Sequence, residues 1–457
     1  MLGRRHSLAY RTSNPLRRCT FPSTSSRHSR LVEFFLMPRL LPLFPPRPAQ
    51  RPSSYRLDLR GATAAVLVLA VMCLGCRDSI SGDVFDDYVC DDPNNDARRV
   101  ILGSTQLVDG TVSDVSSPFG VAVDSGGNVF VVSNFNNSVL RITPEGDIDE
   151  IIDSTGDRLG NTLDEPYGLA ADSQGNVYVS GNVSQNVFKI AVPTACEVED
   201  APCGITQIID EAGDLVDNAL GTPTEVAIDT HDDVYVLGTG SNNAFRIMAP
   251  GKCKTSGPIF CVITEIVDST GDRMGKLLTD PAGLATTTGD VVYVSGRGSN
   301  NVFRIPPGPD GIPTEIIDAT GDGPGNLLTG PVGLAADSEG NVYVAGSLSD
   351  NVFQITPDDD IAVIIDSTGD GDGSVLSFPL RLAVDSNDIV HVSGRTSLNV
   401  FQITPMGTVT ELIDEDGDGA GNFLESPEAI AVDSNGDLYL TDLTSGDVFM
   451  TPKPKCP

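Results

Sequence analysis

The sequence is dominated by a unit that occurs seven times between residue 118 and the C-terminus. Each copy begins with a proline and a short apolar run, and in six copies an aspartate lies six residues after the proline. Successive prolines are separated by 48, 57, 58, 50, 48 and 48 residues. The seven prolines are Pro118, Pro166, Pro223, Pro281, Pro331, Pro379 and Pro427. A unit of this length that recurs along the chain predicts an array of similar structural modules rather than one irregular core.

Each unit contains four short runs of β-branched or aromatic residues, separated by turns rich in Gly, Asn, Asp and Pro. In the second copy these runs begin at Pro166, Val177, Asn186 and Thr206. No part of the repeat region has a sustained helical period. Four short strands in a unit of about 40–50 residues are typical of a propeller blade. We therefore predict an all-β fold, a seven-bladed β-propeller of four-stranded blades.

The two ends of the repeat region are complementary. The seventh copy stops after its third strand, near residues 447–450, and a spare strand at residues 99–102 precedes the first copy. We expect this N-terminal strand to complete the last blade and close the ring, so that no sheet edge stays open. An open solenoid is the alternative, and the matching incomplete ends argue against it. We assign residues 98–457 to the propeller.

The second strand of every blade has an aromatic position that we expect to pack between neighbouring sheets. Its occupants are Phe130, Tyr178, Tyr235, Tyr293, Tyr343, His391 and Tyr439. Because His391 shares this position, we interpret it as a core residue rather than a catalytic one. His391 and His231 are the only histidines after residue 76, and there is no His-Glu-x-x-His motif. No Ser/His/Asp arrangement can be nominated either, so we name no catalytic residue.

One copy reads Pro-Val-Gly-Leu-Ala-Ala-Asp-Ser-Glu-Gly-Asn-Val-Tyr-Val, beginning at Pro331. This pattern resembles the NHL-repeat family of β-propellers, and the resemblance extends over about residues 99–451. It implies a platform that binds ligands or proteins, with some enzymatic relatives. The aspartate that is usual in that family after the second strand is glycine in most copies here, so the loop chemistry of the family is not carried over. These glycines are Gly181, Gly238, Gly296, Gly346 and Gly394.

An apolar run of 14 residues, Gly61–Leu74, follows two arginines and ends shortly before Cys76. Its order of basic, apolar and small residues predicts a secretory signal peptide at residues 56–76, and the run is too short to span a bilayer as a helix. Cys76 follows a small residue, which resembles the end of a bacterial lipoprotein signal and makes Cys76 the expected lipidation site. An ordinary signal peptide is the alternative. We therefore expect an extracytoplasmic protein, lipid-anchored to a bacterial membrane or cell surface or otherwise secreted.

Two other segments precede the propeller. Residues 1–55 are rich in Arg, Ser and Pro and nearly free of acidic residues. We interpret them either as a non-structural leader or as the product of a translation start placed too early. Residues 77–97 are interpreted as an acidic linker between the signal peptide and the propeller.

The charge of the chain restricts its partners. The whole sequence contains 29 Lys and Arg against 63 Asp and Glu, a net charge of −34. Residues 77–457 alone contain 17 basic and 61 acidic residues. Because such a polyanion repels phosphate backbones, the sequence argues against nucleic acid as a partner. We expect a monomer that meets the membrane through its lipid anchor.

Six further cysteines are expected to form three disulfides in an oxidising compartment. The two longest repeats each contain one pair between their third and fourth strands, and a third pair lies just outside the closing strands. We expect Cys196 to pair with Cys203, Cys253 to pair with Cys261, and Cys90 to pair with Cys456. The last of these bonds would lock the ring shut. Free or metal-bound thiols are the alternative.

An acidic loop of the form Asp-x-x-Gly-Asp follows the fourth strand in six copies. The most acidic example has oxygen-bearing residues at a spacing that resembles an EF-hand calcium loop, which makes Ca²⁺ the candidate cofactor. These residues are Asp414, Asp416, Asp418, Asn422 and Glu425. No helices flank the loop, however, and the alternative is a polar turn in which Asp and Gly satisfy the backbone.

The loops that enter the innermost strands should share one face with the loops joining the second and third strands. Residues that break the sevenfold pattern on this face are not required by packing. They are Glu225, Arg297, Arg381, Arg395 and Glu428. We predict that they line an asymmetric polar mouth that binds a protein or a small polar ligand. Solvated or paired loop charges are the alternative for each of them.

Three functions of different classes fit these features. The one we favour is a binding scaffold for a ligand or a protein, displayed outside the cytoplasm. The alternative is a metal-dependent enzyme of the lactonase or lyase kind on the same propeller, in which a Ca²⁺-type ion activates the substrate. The third is an acidic surface protein that stays soluble in high salt. A deep pocket with metal ligands would favour the enzyme, and a wide, shallow mouth would favour the scaffold.

Overall fold

The structure is a computed structural model that describes residues 115–191, 204–248, 262–308, 311–418 and 421–453, together with the backbone of residues 99–102. These residues belong to one compact unit, Asp78–Pro457. Among them, no helix is long and apolar enough to cross a membrane.

Several sequence assignments fall outside the described residues and stay predictions. They include the leader, the signal peptide with the lipidation site Cys76, and the acidic linker. The three expected disulfides belong to the same group, because none of their six cysteines is described. These cysteines are Cys90, Cys196, Cys203, Cys253, Cys261 and Cys456.

The described chain forms seven antiparallel sheets of four strands each, and the predicted seven-bladed β-propeller is confirmed. In chain order the strands are β1 (Arg99–Leu102); β2 (Pro118–Val123), β3 (Val129–Ser133), β4 (Ser138–Ile142), β5 (Ile148–Ile152); β6 (Pro166–Ala171), β7 (Val177–Gly181), β8 (Asn186–Ile190), β9 (Ile205–Ile209); β10 (Pro223–Ile228), β11 (Val234–Gly238), β12 (Asn243–Met248), β13 (Val262–Val267); β14 (Pro281–Thr286), β15 (Val292–Gly296), β16 (Asn301–Ile305), β17 (Thr314–Ile317); β18 (Pro331–Ala336), β19 (Val342–Gly346), β20 (Asn351–Ile355), β21 (Ile361–Ile365); β22 (Pro379–Val384), β23 (Val390–Gly394), β24 (Asn399–Ile403), β25 (Val409–Ile413); and β26 (Pro427–Val432), β27 (Leu438–Asp442), β28 (Val448–Thr451). Blades 1 to 6 each consist of four consecutive strands beginning at β2, β6, β10, β14, β18 and β22.

Blade 7 combines both ends of the repeat region, as the sequence predicts. Its strand order is β26, β27, β28 and β1, and β1 pairs antiparallel with β28 so that Val100 lies opposite Phe449. The innermost strands contact one another in cyclic order, and β2 contacts both β6 and β26. Main-chain pairing between the first and last strands therefore closes the ring.

The second and third strands are the most buried elements because a neighbouring sheet covers each of their faces. Every residue of β7 is buried. Tyr178 of blade 2 packs in one cluster with Val226, Val236 and Phe245 of blade 3, which joins the two sheets. The fourth strands are partly exposed, as in β5. The core is thus a ring of inter-blade clusters rather than a single central one.

The aspartate six residues after the proline explains the recurring turn that follows it. Asp172 Oδ1 accepts hydrogen bonds from the backbone N–H groups of Gln174 at 2.9 Å and Asn176 at 2.8 Å. Its Oδ2 accepts a third from the Tyr178 hydroxyl at 3.0 Å. Blades 3 and 5 contain the same bond between aspartate and tyrosine. The aspartate and the aromatic position of the second strand therefore form one local structure.

On the opposite face, side chains of one blade hold the backbone where the chain enters the next. Asn242 Oδ1 accepts a hydrogen bond from Asp280 N at 2.7 Å, and Asn300 Oδ1 accepts one from Gly330 N at 2.7 Å. Equivalent bonds join blade 1 to blade 2 and blade 5 to blade 6. These bonds fix the residue that precedes β6, β14, β18 and β22, and so they position side chains around the channel opening.

Candidate functional site

Two sets of loops meet at the same end of the ring, which we call the upper face. One set enters the innermost strands, and the other joins the second and third strands of each blade. Backbone hydrogen bonds connect the sets, from Asn182 N to Glu165 O at 3.0 Å and from Arg297 N to Asp280 O at 3.0 Å. Side chains from both sets therefore surround one opening of the central channel. The turns after the innermost strands lie at the other end, the lower face.

An ion pair crosses the channel. Arg381 in β22 and Glu225 in β10 belong to blades 6 and 3, which are as far apart as two blades of a ring of seven can be. Arg381 Nη1 lies 2.6 Å from Glu225 Oε1, and the two side chains are 15% and 21% exposed. Burial alone would lower the pKa of Arg381, but the Glu225 carboxylate, with Tyr167 and Glu428 nearby, outweighs burial and raises it. Arg381 is therefore a permanent cation in the channel.

The two residues of this ion pair occupy a position at which four other blades have glycine, two residues after the proline. A Cβ on Gly283 would lie 1.9 Å from Val332 O of the next blade, and one on Gly168 would lie 2.2 Å from Thr224 O. Glycine therefore allows neighbouring innermost strands to approach closely. Strands β10 and β22 contact the innermost strand of the following blade less closely. At these two strands, Glu225 and Arg381 place charges in the channel.

Glu428 is a buried carboxylate at the same opening. It is 2% exposed, and its Oε2 accepts no hydrogen bond from the described residues. The guanidinium of Arg395 places Nη1 3.6 Å away, while its Nε donates to Ser426 Oγ at 3.2 Å. Burial raises the pKa of Glu428, although Arg395 and Arg381 act in the opposite direction. A buried carboxylate oxygen without a donor is uncommon in native proteins and calls for a ligand or a water.

A cavity of about 400 Å³ opens on the upper face and is lined by residues of blades 2 to 7. Arg297, Arg381, Arg395 and Glu428 all line it, together with Tyr167. Arg297 is 52% exposed and its Nε donates to Asp280 Oδ2 at 2.7 Å. A smaller adjoining cavity of about 150 Å³ lies in the channel itself and is lined by Glu225, Tyr167 and Arg381.

The structure thus brings all five residues predicted at the mouth into one place. Four of them line the upper cavity, and Glu225 joins them through its ion pair with Arg381. Sequence reasoning missed Tyr167, although it stands at a position where most other copies have a smaller or non-aromatic residue. It also missed Asp280, because its role depends on the partner Arg297 and not on a break in the repeat pattern.

The acidic loops use their carboxylates to hold their own backbone. In the acidic loop that follows β25 and begins at Asp414, which we call the 414 loop, Asp418 is 9% exposed. Its Oδ1 accepts a hydrogen bond from Asn422 N at 3.1 Å, and its Oδ2 accepts one from Asn422 Nδ2 at 2.6 Å. The same pattern joins Asp157 to Asn161. Asp416 and Glu425 are exposed. This geometry matches the polar-turn alternative, and the calcium interpretation stays a prediction.

A cluster of metal-type ligands that the sequence analysis did not nominate lies on the lower face. Asp229, His231 and Asp290 offer ligand atoms within 4.8 Å of one another, the one such group among the described residues. His231 Nδ1 lies 2.9 Å from Asp290 Oδ2. Asp229 accepts hydrogen bonds from His231 N and from the Tyr235 hydroxyl. The cluster is therefore internally satisfied, and it lies at the end of the ring opposite the mouth.

The fold defines the class: the chain is a seven-bladed β-propeller protein. A family model for a β-propeller repeat, SBBP, matches residues 158–188, which include β6 and β7. This match agrees with the propeller class that the NHL-repeat resemblance implied. Comparison with curated proteins gives no match to this sequence.

Solved structures show the same architecture at low sequence identity. The chain is similar to virginiamycin B lyase from Staphylococcus aureus, with a TM-score of 0.56 and 15% identity over 77% of this chain and 98% of the lyase. A catalytically inactive variant of that lyase, solved with quinupristin, gives a TM-score of 0.55 and 15% identity over 77% and 98%. A streptogramin B lyase gives 0.55 and 14% over 74% and 94%. At these identities the similarity shows the fold alone.

Proposed function

We propose that this protein is an extracytoplasmic binding protein whose upper mouth takes a small polar ligand bearing a carboxylate or a similar anion. One observation carries the proposal: three arginines and the buried Glu428 converge on one cavity of about 400 Å³. That volume lies in the range typical of small-molecule sites. The extracytoplasmic location and the lipid anchor at Cys76 rest on the signal-like sequence before the propeller.

The concentration of arginine at the mouth is unusual for so acidic a chain. Residues 77–457 contain 61 acidic residues and only 17 basic ones, yet three of the basic residues line this single cavity. Because these cations offset the carboxylates of the mouth, the cleft repels an anionic ligand less than the acidic surface around it does. Guanidinium groups also bind carboxylates through paired hydrogen bonds, which gives the site chemical selectivity as well as attraction.

The test is a comparison of two triple variants with succinate as the probe. Arg297→Ala/Arg381→Ala/Arg395→Ala removes the three mouth arginines. Arg141→Ala/Arg246→Ala/Arg304→Ala removes the same charge from outer positions, where each arginine pairs with an aspartate. We expect millimolar succinate to raise the melting temperature of the wild type and the outer variant, because it binds the folded state alone. The mouth variant should bind at least tenfold more weakly (about 1.4 kcal/mol). Equal stabilisation of both variants would contradict the proposal.

A lyase-type or lactonase-type enzyme at the same mouth is the second candidate. The observation in its favour is Glu428, whose burial raises its pKa beside an open cavity, as in many general acids and bases. The mouth gives less support to metal dependence, because Glu225 and Asp280 are each paired with an arginine. Turnover of quinupristin or of simple lactones, lost in Glu428→Gln, is the outcome that would establish this candidate.

Calcium is the candidate ligand of the 414 loop, and to bind there it would have to compete with the loop's own hydrogen bonds. Because Asn422 occupies both oxygens of Asp418, an ion would have to displace these donors. We therefore expect the melting temperature to be the same in millimolar calcium and in chelator. A rise with calcium that is lost in Asp414→Ala/Asp418→Ala would instead establish the loop as a metal site.

A further inference from the structure

The three carboxylates of the mouth are not equivalent. Glu225 and Asp280 each receive an arginine N–H, at 2.6 Å and 2.7 Å respectively. Glu428 is 2% exposed, and its Oε2 has no hydrogen-bond donor among the described residues. Because Arg395 Nη1 stands 3.6 Å away, it balances the charge of Glu428 without supplying that hydrogen bond. The residues that line the cavity therefore include one buried acceptor without a donor.

The arginines of the mouth have more N–H donors than their ion pairs use. A guanidinium carries five N–H groups. Arg297 donates through Nε to Asp280, and its side chain is 52% exposed. Arg381 meets Glu225 through Nη1. Donors for a carboxylate therefore lie in the same cavity as an acceptor that lacks a donor.

We propose that the mouth binds a zwitterion, with the ligand carboxylate on Arg297 and Arg381 and the ligand ammonium on Glu428. This inference rests on the proposed function and narrows it to ligands of the amino-acid or short-peptide class. Three guanidinium groups and three carboxylates line the mouth, so its charges balance. A balanced site of this kind favours a ligand that carries both charges, since like charges placed together oppose binding.

Other ligand classes fit less well. A second carboxylate placed against Glu428 would be repelled and would leave Oε2 without its donor. A diamine would satisfy Glu428 but would place its other ammonium among the arginines. This buried oxygen, which has no hydrogen-bond donor, thus acts as the discriminating group, because ligands that lack a donor leave it unsatisfied.

The experiment uses the full-length protein and calorimetric titration with four probes. Glycylglycine is the zwitterion, N-acetylglycylglycine lacks its ammonium, succinate is the dianion and putrescine is the dication. We expect glycylglycine to bind at least tenfold more tightly than N-acetylglycylglycine and succinate, and putrescine not to bind. Because the acetyl group alters the ligand and not the protein, this comparison does not depend on any variant folding correctly.

A matched pair of variants locates the discrimination. Glu428→Gln keeps the shape of the side chain and removes its charge, while Glu415→Gln makes the same change in an exposed residue of the preceding loop. We expect Glu428→Gln to lose the preference for glycylglycine over its acetylated form, and Glu415→Gln to keep it.

Two outcomes separate the inference from the function on which it rests. If succinate binds as tightly as glycylglycine, depends on Arg381 and is unaffected by Glu428→Gln, the zwitterion inference is wrong and the anion-binding mouth stands. If none of the four probes binds, or if putrescine binds best, the proposed function itself fails.

Discussion

At the scale of single residues, the seven repeats allow each side chain to be compared with six equivalents. His391 occupies the aromatic position at which Tyr178, Tyr235 and Tyr343 donate their hydroxyls to the aspartate of the turn. Both ring nitrogens of His391 are buried and lack a hydrogen-bond partner among the described residues. Lys453, which follows β28 of blade 7, instead places its Nζ 3.2 Å from Oδ2 of Asp385, the turn aspartate of this blade. His391 is therefore a core residue that has to remain neutral.

This burial makes stability depend on pH. Burial lowers the pKa of His391 from 6.5 to about 4, with Asp385 opposing the shift and Lys453 adding to it. Between these values the unfolded chain binds a proton that the folded chain does not, so stability is complete above about pH 6.5 and falls as the pH decreases. We expect about 2 kcal/mol less stability at pH 5 than at pH 7.5 from this residue.

The matching variant is His391→Tyr, which restores the commonest residue of this position. Urea unfolding of both proteins at pH 5 and pH 7.5 isolates the contribution of the histidine, because all other titrating groups are shared. Parallel pH dependence in the two proteins would show that His391 does not titrate as described.

The ion pair across the channel allows a second prediction at this scale. Because both side chains are mostly buried, a double-mutant cycle with Arg381→Ala and Glu225→Ala should give a coupling energy of about 1–3 kcal/mol. The more exposed pair of Arg304 and Asp359 should give less than about 1 kcal/mol. Chemical denaturation of the four proteins in each cycle measures both values. Equal couplings would mean that the channel pair is screened like a surface pair.

At the scale of elements, the acidic loops act as tight turns built around a glycine. In the loop between blades 5 and 6, Gly369 has a φ of +63°, and a Cβ there would lie 1.8 Å from the carbonyl oxygen of Ser374. Two residues later Gly371 has a φ of +78° but nothing within 4 Å of its Cβ position. A side chain at Gly369 would therefore meet both a backbone clash and left-handed strain, whereas one at Gly371 would meet the strain alone.

We expect Gly371→Ala to cost about 1 kcal/mol, the usual penalty of a left-handed alanine. Gly369→Ala should cost well over ~2 kcal/mol, because the backbone of Ser374 must also move. Thermal or urea unfolding of the two variants supplies the comparison. Similar losses in both would show that the loop relaxes freely and does not fix the entry to blade 6.

At the scale of the whole molecule, the sequence predicts the fold well because each blade repeats the same local chemistry. The prolines, turn aspartates and aromatic positions recur often enough to give the number of blades, the strands of each blade and the closing strand. The mouth is predictable in part, since Glu225, Arg381 and Glu428 depart from the repeat pattern. Their pairing is not, because the contact between Arg381 and Glu225 exists only once the ring has brought blades 3 and 6 face to face. Likewise, no local pattern joins Asp229 to Asp290 of the next blade.

The closure of the ring yields a prediction for the whole chain. A chain beginning at residue 104 lacks β1 and leaves β28 as an open edge, whereas a chain beginning at residue 98 keeps this pairing. We expect the shorter chain to lose about 2–5 kcal/mol, from several main-chain hydrogen bonds, and to associate through the exposed strand. Denaturation and sedimentation of both chains provide the check. If the two behave alike, β1 does not hold the ring closed.

The ion pair between blades 3 and 6 also bears on how such a molecule can change over time. Duplication, loss or exchange of a whole blade preserves the contacts within each sheet, so the architecture tolerates these events. The same events alter which blades stand opposite each other, and Arg381 would then meet a different residue across the channel. Such events preserve the fold as long as the blades remain alike, whereas they preserve the mouth only if the order of the blades is kept. Blade order is therefore the feature that preserves the contacts of the mouth.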